Sequence, residues 1–178
     1  MSATMTLDTR IRDALRPIND YPKPGIVFQD ITPVLGNAAL LHDVIAGMAS
    51  PFGSSGVTHV VGIEARGFIL GGAVATTLRA GFVPVRKPGK LPWDRVTEEY
   101  ALEYGTDALE CHQDGLPPGS RVLVVDDVLA TGGTAKAAGR LARKLGAEVV
   151  GMSFLLEISV LKGRARLEGE SCHVLAAV

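Results

Sequence analysis

Two adjacent carboxylates, Asp126 and Asp127, stand three residues before the run Ala130-Thr131-Gly132-Gly133-Thr134. The apolar residues Val122 to Val125 read as a buried strand that delivers both acids to a sheet edge. Glycines let successive backbone N–H groups turn inward into a concave nest. The threonine hydroxyls add donors, and a helix start just after the loop adds partial positive charge, so the stretch is suited to cradling a phosphate. The acids cannot serve that anion, because like charges repel. They need hydroxyls or a divalent cation on the far side of the same ligand, and a ribose 5-phosphate would put its phosphate in the nest and its ring hydroxyls on the acids. A Gly-Lys-Ser/Thr phosphate loop and a GxGxxG fingerprint are both missing from the sequence. The plainer alternative is a strand–turn–helix with a capping threonine and solvated acids.

Two further places carry charge in a pattern. In Gly62-Ile-Glu64-Ala-Arg66-Gly67-Phe68 an arginine stands at a strand-to-helix turn, where its planar fork matches a phosphate. A surface ion pair between Glu64 and Arg66 would explain the same residues. In Val85-Arg86-Lys87-Pro-Gly-Lys90-Leu-Pro92 the charge is partitioned: positions 79–93 hold four basic residues and no acid, and 94–114 hold seven acids and one base. Solvated faces usually mix signs, so a basic loop for a highly charged anion followed by an acidic arm is one cause. A plain hairpin with exposed charges is the other. Val96, Thr97, Tyr100 and Tyr104 favour a β-arm over 93–105.

The elements that must hold these residues alternate along the chain. Apolar spacing predicts helices over 7–16, 37–48, 67–79 and 134–145. Strands are expected over 59–63, 83–85, 122–125, 149–156 and 172–178, with the 83–85 strand weakened by Pro84. Pro22 and Pro24 break the segment 19–25. This order predicts an α/β fold with a mainly parallel sheet flanked by helices, its ligands lying beyond the carboxyl ends of the strands.

Composition narrows the function class. The chain has 178 residues, 47% of them apolar and 21% charged, which suits a single domain over 1–178. With 18 basic and 19 acidic residues the net charge is −1, so no global field exists to hold a nucleic acid. The longest charge-free apolar segment, 67–78, is shorter than the roughly 20 residues a membrane helix needs. Residues 1–12 lack the apolar run of a secretory signal, so a cytoplasmic protein without nucleic-acid or membrane partners is expected. Cys111 and Cys172 have no metal-ligand spacing and read as free thiols. His42, His59, His112 and His173 have no spaced partner and are assigned no role.

Taken together, these pieces resemble the type I phosphoribosyltransferases, whose fingerprint matches 124–134. More narrowly, Tyr21-Pro-Lys-Pro-Gly25-Ile-Val-Phe28-Gln-Asp30, Glu64-Ala-Arg-Gly-Phe68, Arg86-Lys-Pro-Gly-Lys-Leu-Pro92, Leu102-Glu-Tyr-Gly105 and Leu161-Lys-Gly-Arg164 are similar to the adenine phosphoribosyltransferase family over nearly the whole chain. The resemblance implies a reaction of adenine with phosphoribosyl pyrophosphate (PRPP) to give AMP and pyrophosphate, with Mg²⁺ near Asp126 and Asp127 but no direct protein ligand. It implies that Ala130, Thr131, Gly132, Gly133 and Thr134 hold the 5′-phosphate and that Asp126 and Asp127 hold the ribose hydroxyls. Arg66, Arg86, Lys87 and Lys90 would neutralise pyrophosphate, with Arg66, Lys90 and Glu103 the catalytic members. Val27, Phe28, Gln29 and Ile158 would receive adenine, Phe28 and Ile158 stacking on its two faces. Tyr104 would touch ribose or base, or pack the arm. Also implied are a hood over the base from 1–35, a flexible lid over 93–105, a cis peptide at Glu64–Ala65 and a homodimer in which Arg86 reaches its partner's site. The rival readings are another purine or orotate phosphoribosyltransferase and a PRPP-sensing regulator without catalysis.

Overall fold

The computed structural model describes residues 5–101 and 105–178. Helix α1 (Leu7–Ala14) starts where the Thr6 side chain accepts from Thr9 N, and it buries Ile11. Strands β1 (Arg16–Asn19) and β2 (Val27–Asp30) form a separate antiparallel hairpin. Its connection contains a cis Tyr21–Pro22 bond, Asp20 at φ 58° and Gly25 at φ 83°. Helices α2 (Thr32–Gly36) and α3 (Ala38–Ala49) follow, the second capped by the Asn37 side chain.

The main sheet takes its strands from the alternating part of the chain. They are β3 (His59–Ile63), β4 (Gly81–Val85), β7 (Arg121–Leu129), β8 (Glu148–Glu157) and β9 (Cys172–Ala177), all parallel, in the order β4-β3-β7-β8-β9. Between β4 and β7 an antiparallel arm, β5 (Arg95–Ala101) and β6 (Thr106–His112), leaves the sheet. Helices α4 (Arg66–Leu78), α5 (Gly133–Lys144) and the short α6 (Gly163–Arg166) complete the chain.

Side chains alternate between the faces of a strand, and here each face has its own core. Val60, Leu123, Val125 and Leu155 join α1, α3 and α4 on one side. Val61, Val122, Val124, Met152 and Phe154 join α5 and the arm on the other. This is the α/β architecture expected, and the five main strands and four longer helices lie where the periodicity puts them. No helix among the described residues is long and apolar enough to cross a membrane.

Three differences bear on function. Strand β7 runs on to Leu129, so Asp126 and Asp127 lie within it and not beyond its end. The reason is one-sided pairing: β3 leaves at the Gly62–Val125 pair, while β8 continues through Asp126–Phe154 to Leu129–Glu157. The acids therefore stand where one neighbour has ended. Pro84 is tolerated because β4 is an edge strand. The arm is longer than 93–105, since β6 reaches His112 and Arg86 bridges to Glu110 at its base.

Candidate functional site

Carboxyl ends of β3, β4 and β7 open on the same side, as parallel pairing requires. At the end of β7 the chain makes the loop predicted to hold an anion. Gly132 has φ +79° and precedes α5, which has no side-chain cap. A left-handed φ favours glycine because a Cβ would strain the backbone. Helix α4, starting at the end of β3, is likewise uncapped by a side chain, whereas Thr6 and Asn37 cap α1 and α3. Of the four longer helices, α4 and α5 are the two without side-chain caps, and they point their first N–H groups, and the positive ends of their dipoles, at the strand ends. A hollow of about 70 Å³ is lined by Asp126, the run from Val128 to Gly132, Thr134 and Ala135.

The two acids differ. Asp127 is buried and paired with Arg66. Asp126 is half-buried, with Oδ1 accepting from Asp127 N at 2.9 Å. Burial, and then the charge of Asp127 beside it, push the Asp126 carboxyl well above the ordinary carboxylate range. A Cβ on Gly67 would lie 2.8 Å from Asp126 Oδ1, so only glycine lets α4 come this close to the acid.

Arg66 and Glu64 do not pair with each other. In the β3–β4 register Ile63 faces Val85, which brings Glu64 out beside Arg86. Arg86 Nη2 donates to Glu64 Oε1 at 2.7 Å, and Lys87 N donates to Oε2 at 3.1 Å. The Arg86 contact, reinforced by Lys87 N and opposed by burial, holds the Glu64 carboxyl below its ordinary pKa. Glu64–Ala65 is cis, as the resemblance implied. Arg66 lies 5.4 Å from the centroid of the Phe28 ring, which packs edge-on against Tyr21 at 5.3 Å. This brings β2 from the N-terminal hairpin to the acids. Val27 is exposed and Gln29 half-buried. Ile158 is half-buried and packs on the α3–α4 side core.

Lys87 extends from the basic loop to the arm, where Asp107 and the Tyr100 hydroxyl hold its ammonium, and Thr134 of the cradle donates to the same hydroxyl at 3.4 Å. Lys90 has no ion pair among the described residues; its backbone oxygen accepts from Arg86 Nη1 at 3.1 Å. Glu103 and Tyr104 lie outside the described residues.

Three participants escaped the sequence reading. Tyr100 and Asp107 are cross-strand partners in the arm, a pairing visible only once the hairpin register is known. Gly163 packs so tightly under the cradle that a Cβ there would lie 2.3 Å from Ala130 O. It sits in the quoted 161–164 motif, which was the signal available for it.

Residues 37–170 match the family model described as a phosphoribosyl transferase domain. A protein of Myxococcus xanthus named adenine phosphoribosyltransferase is 56% identical over 96% of this chain and 92% of its own. The crystal structure of adenine phosphoribosyltransferase from Rhodothermus marinus superposes with a TM-score of 0.93 at 51% identity, covering 97% of this chain and 98% of that one. The Saccharomyces cerevisiae enzyme, solved with an imino-altritol bisphosphate and adenine, matches with a TM-score of 0.88 at 37% identity over 95% and 98% of the two chains.

Proposed function

Since this chain belongs to the adenine phosphoribosyltransferase family, we propose that it joins adenine to the ribose 5-phosphate group of PRPP, giving AMP and pyrophosphate. The observation that carries this reading is one continuous stretch, the end of β7 and the loop after it, with two recognition ends. The glycine-built, uncapped start of α5 suits a phosphate, and Asp126 and Asp127, a few residues before it, suit the hydroxyls of the attached ring.

The C1′–O bond of PRPP breaks with its electron pair leaving on pyrophosphate, and adenine N9 forms the new bond to C1′. Positive charge builds on the sugar and negative charge on the leaving group. Stabilising the anion where it develops lowers the barrier. Arg66 and Lys90 do this directly, with Arg86 and Lys87 drawing the same anion. The Asp126–Asp127 pair orients the ring hydroxyls, and its negative charge favours the oxocarbenium-like sugar. Phe28 stacks on adenine with Ile158 on its other face, and backbone at Val27 and Gln29 reads the base edge. Glu103 stabilises the tautomer protonated at N7, which leaves N9 free as nucleophile, and its carboxylate accepts the N7 proton as the N9–C1′ bond forms. The hairpin near the N-terminus acts as a hood, and the arm acts as a lid that excludes water, which would otherwise hydrolyse the sugar.

Among the described residues no three acidic, His or Cys groups cluster for a cation, and Asp127 is already paired with Arg66. Such a donor set fits a Mg²⁺ that arrives on PRPP and keeps its waters, with Asp126 and Asp127 as outer neighbours. When bound it would neutralise pyrophosphate charge.

A second copy of the chain is the proposed partner, and the cytoplasm the proposed compartment. Exposed Ile69 and Phe82 lie on α4 and β4; the Phe82 ring packs edge-on against Phe68 at 5.9 Å, and the Arg86 guanidinium is 5.9 Å from that same Phe68 ring. Apolar surface there supports self-association. The test is pyrophosphate release from PRPP with adenine, hypoxanthine, guanine and orotate in turn. Release with adenine alone is expected. Release with another base only, or PRPP binding without release, would overturn the reading in favour of a different transferase or a regulator.

A further inference from the structure

Lys87 is placed where no single stretch of sequence would put it. Its root is tied by the backbone bond to Glu64, and its tip lies on the arm against Asp107 and the Tyr100 hydroxyl, which it reaches at 2.8 Å. The tip also lies 5.4 Å from the Tyr100 ring centroid. Tyr100 is buried and donates to Asp107 Oδ2 at 2.9 Å. Its ring also backs the cradle, since a Cβ on Gly133 would lie 3.5 Å from Tyr100 Cδ2. Thr134, on the far side, donates to the same hydroxyl at 3.4 Å. Tyr100 O therefore accepts twice, from Lys87 and Thr134, and donates once, to Asp107. The carboxylate is the terminal acceptor of the whole chain of bonds.

A carboxylate beside a cation meant for an anionic ligand looks counterproductive, because it cancels charge. Its value is orientation. An ammonium has three donors; two are used here, and the third is left for a ligand. A lysine stem is flexible, and fixing it in advance removes an ordering cost from binding. Burial pulls the Lys87 pKa down, but the Asp107 and Tyr100 contacts outweigh it and the pKa rises, so the group stays charged. The buried acid of β5, Glu98, pairs with Arg140 and Lys144 on α5 and touches none of these groups.

We propose that Asp107 is a positioning residue of the site: bonding Lys87 directly and bracing it through Tyr100, it holds the Lys87 ammonium of the basic loop toward the phosphate cradle, so that one cation serves both anionic ends of PRPP. The proposal rests on the transferase reading above. Steady-state kinetics on Asp107→Asn, Asp107→Glu and Tyr100→Phe, in wild-type and Lys87→Met backgrounds, test it. Asp107→Asn is expected to raise the KM for PRPP about tenfold, the size of one charge-assisted hydrogen bond. kcat and the KM for adenine should stay within about twofold, and Asp107→Glu should recover most of the loss. In the Lys87→Met background the same Asn change should add less than about twofold, because its route of action is already gone. An unchanged PRPP KM, or an equal rise with and without Lys87, overturns the proposal. Should Asp107→Asn not fold, Tyr100→Phe must raise the same KM, and no rise there overturns it too. A wild-type protein that releases no pyrophosphate with adenine sinks the transferase reading and this inference with it; an active wild type indifferent to Asp107 sinks the inference alone.

Discussion

The cradle after β7 and the basic loop after β4 are both suited to anions, but they are built differently. The cradle comes from one continuous stretch, uses backbone N–H groups, and depends on glycines at Gly132 and, from beneath, Gly163. The basic loop works through side chains that separate segments hold in place: Glu64 just after β3 for Arg86, Asp107 and Tyr100 from the arm for Lys87, and Glu110 Oε2 for Gly89 N at 3.0 Å. A backbone site is preorganised by its own fold and tolerates no added atoms. A side-chain site is assembled from charge, so it tolerates substitution and responds to salt and pH.

The largest test of this contrast is Gly132→Ala. The new Cβ would lie 2.5 Å from Gly163 O at a left-handed φ, so kcat/KM for PRPP should fall by about 100-fold or more, near 3 kcal/mol of lost transition-state binding. Salt should not restore it. A variant with near-normal turnover at any salt would show that the cradle is not backbone-built.

Next in size is Lys90→Ala, which removes a cation without an ion pair among the described residues. A loss of about tenfold in kcat/KM at low ionic strength is expected, shrinking as salt screens the remaining field. An equal deficit at 0.05 and about 0.5 M salt would break the contrast.

Smaller still is a pH effect on stability. The Glu64 carboxyl is held low by Arg86, so its contribution is present above the unfolded value, about 4.3, and is lost as pH falls through the lower folded value. Thermal melts should therefore show Glu64→Gln less stable than wild type at neutral pH, with the gap closing below about pH 4. A gap independent of pH would mean that shape, not charge, holds the loop.

The finest probe concerns the base of the arm. Cys111 is buried on β6, and burial first, then Asp114, push its thiol up to about 11. Cys172 is half-buried, and burial raises its thiol as well. A thiol reagent at pH 8 should label Cys172 first, and saturating PRPP should leave Cys111 unlabelled. Fast labelling of Cys111 would show that the arm opens from its base and not from its tip alone.

Much of this molecule could be read before any coordinates. The alternation of apolar runs placed the sheet and its helices, because burial on one face or both imposes periods that survive in composition. The glycine turn after β7 was legible too, since a left-handed φ at Gly132 must be spelled by a glycine in the local sequence. The short pieces were not. Helices α2 and α6 span five and four residues, too few for a period to show. The extension of β7 through its two acids was hidden because charge reads as a strand end unless the missing neighbour is known.

Side-chain partnership was the part sequence left open. Glu64 and Arg66 are two residues apart, yet each bonds elsewhere, because the register of β3 on β4 sets Glu64 against Arg86 while β7 presents Asp127 to Arg66. Lys87 meets Asp107 only because a hairpin folds back beside the cradle. The amino-acid order alone determined what each segment is and which loop can wrap a phosphate, for those depend on local backbone freedom and burial. Which charges compensate one another was decided by tertiary structure, since electrostatic partners are chosen by distance in space and not by distance along the chain.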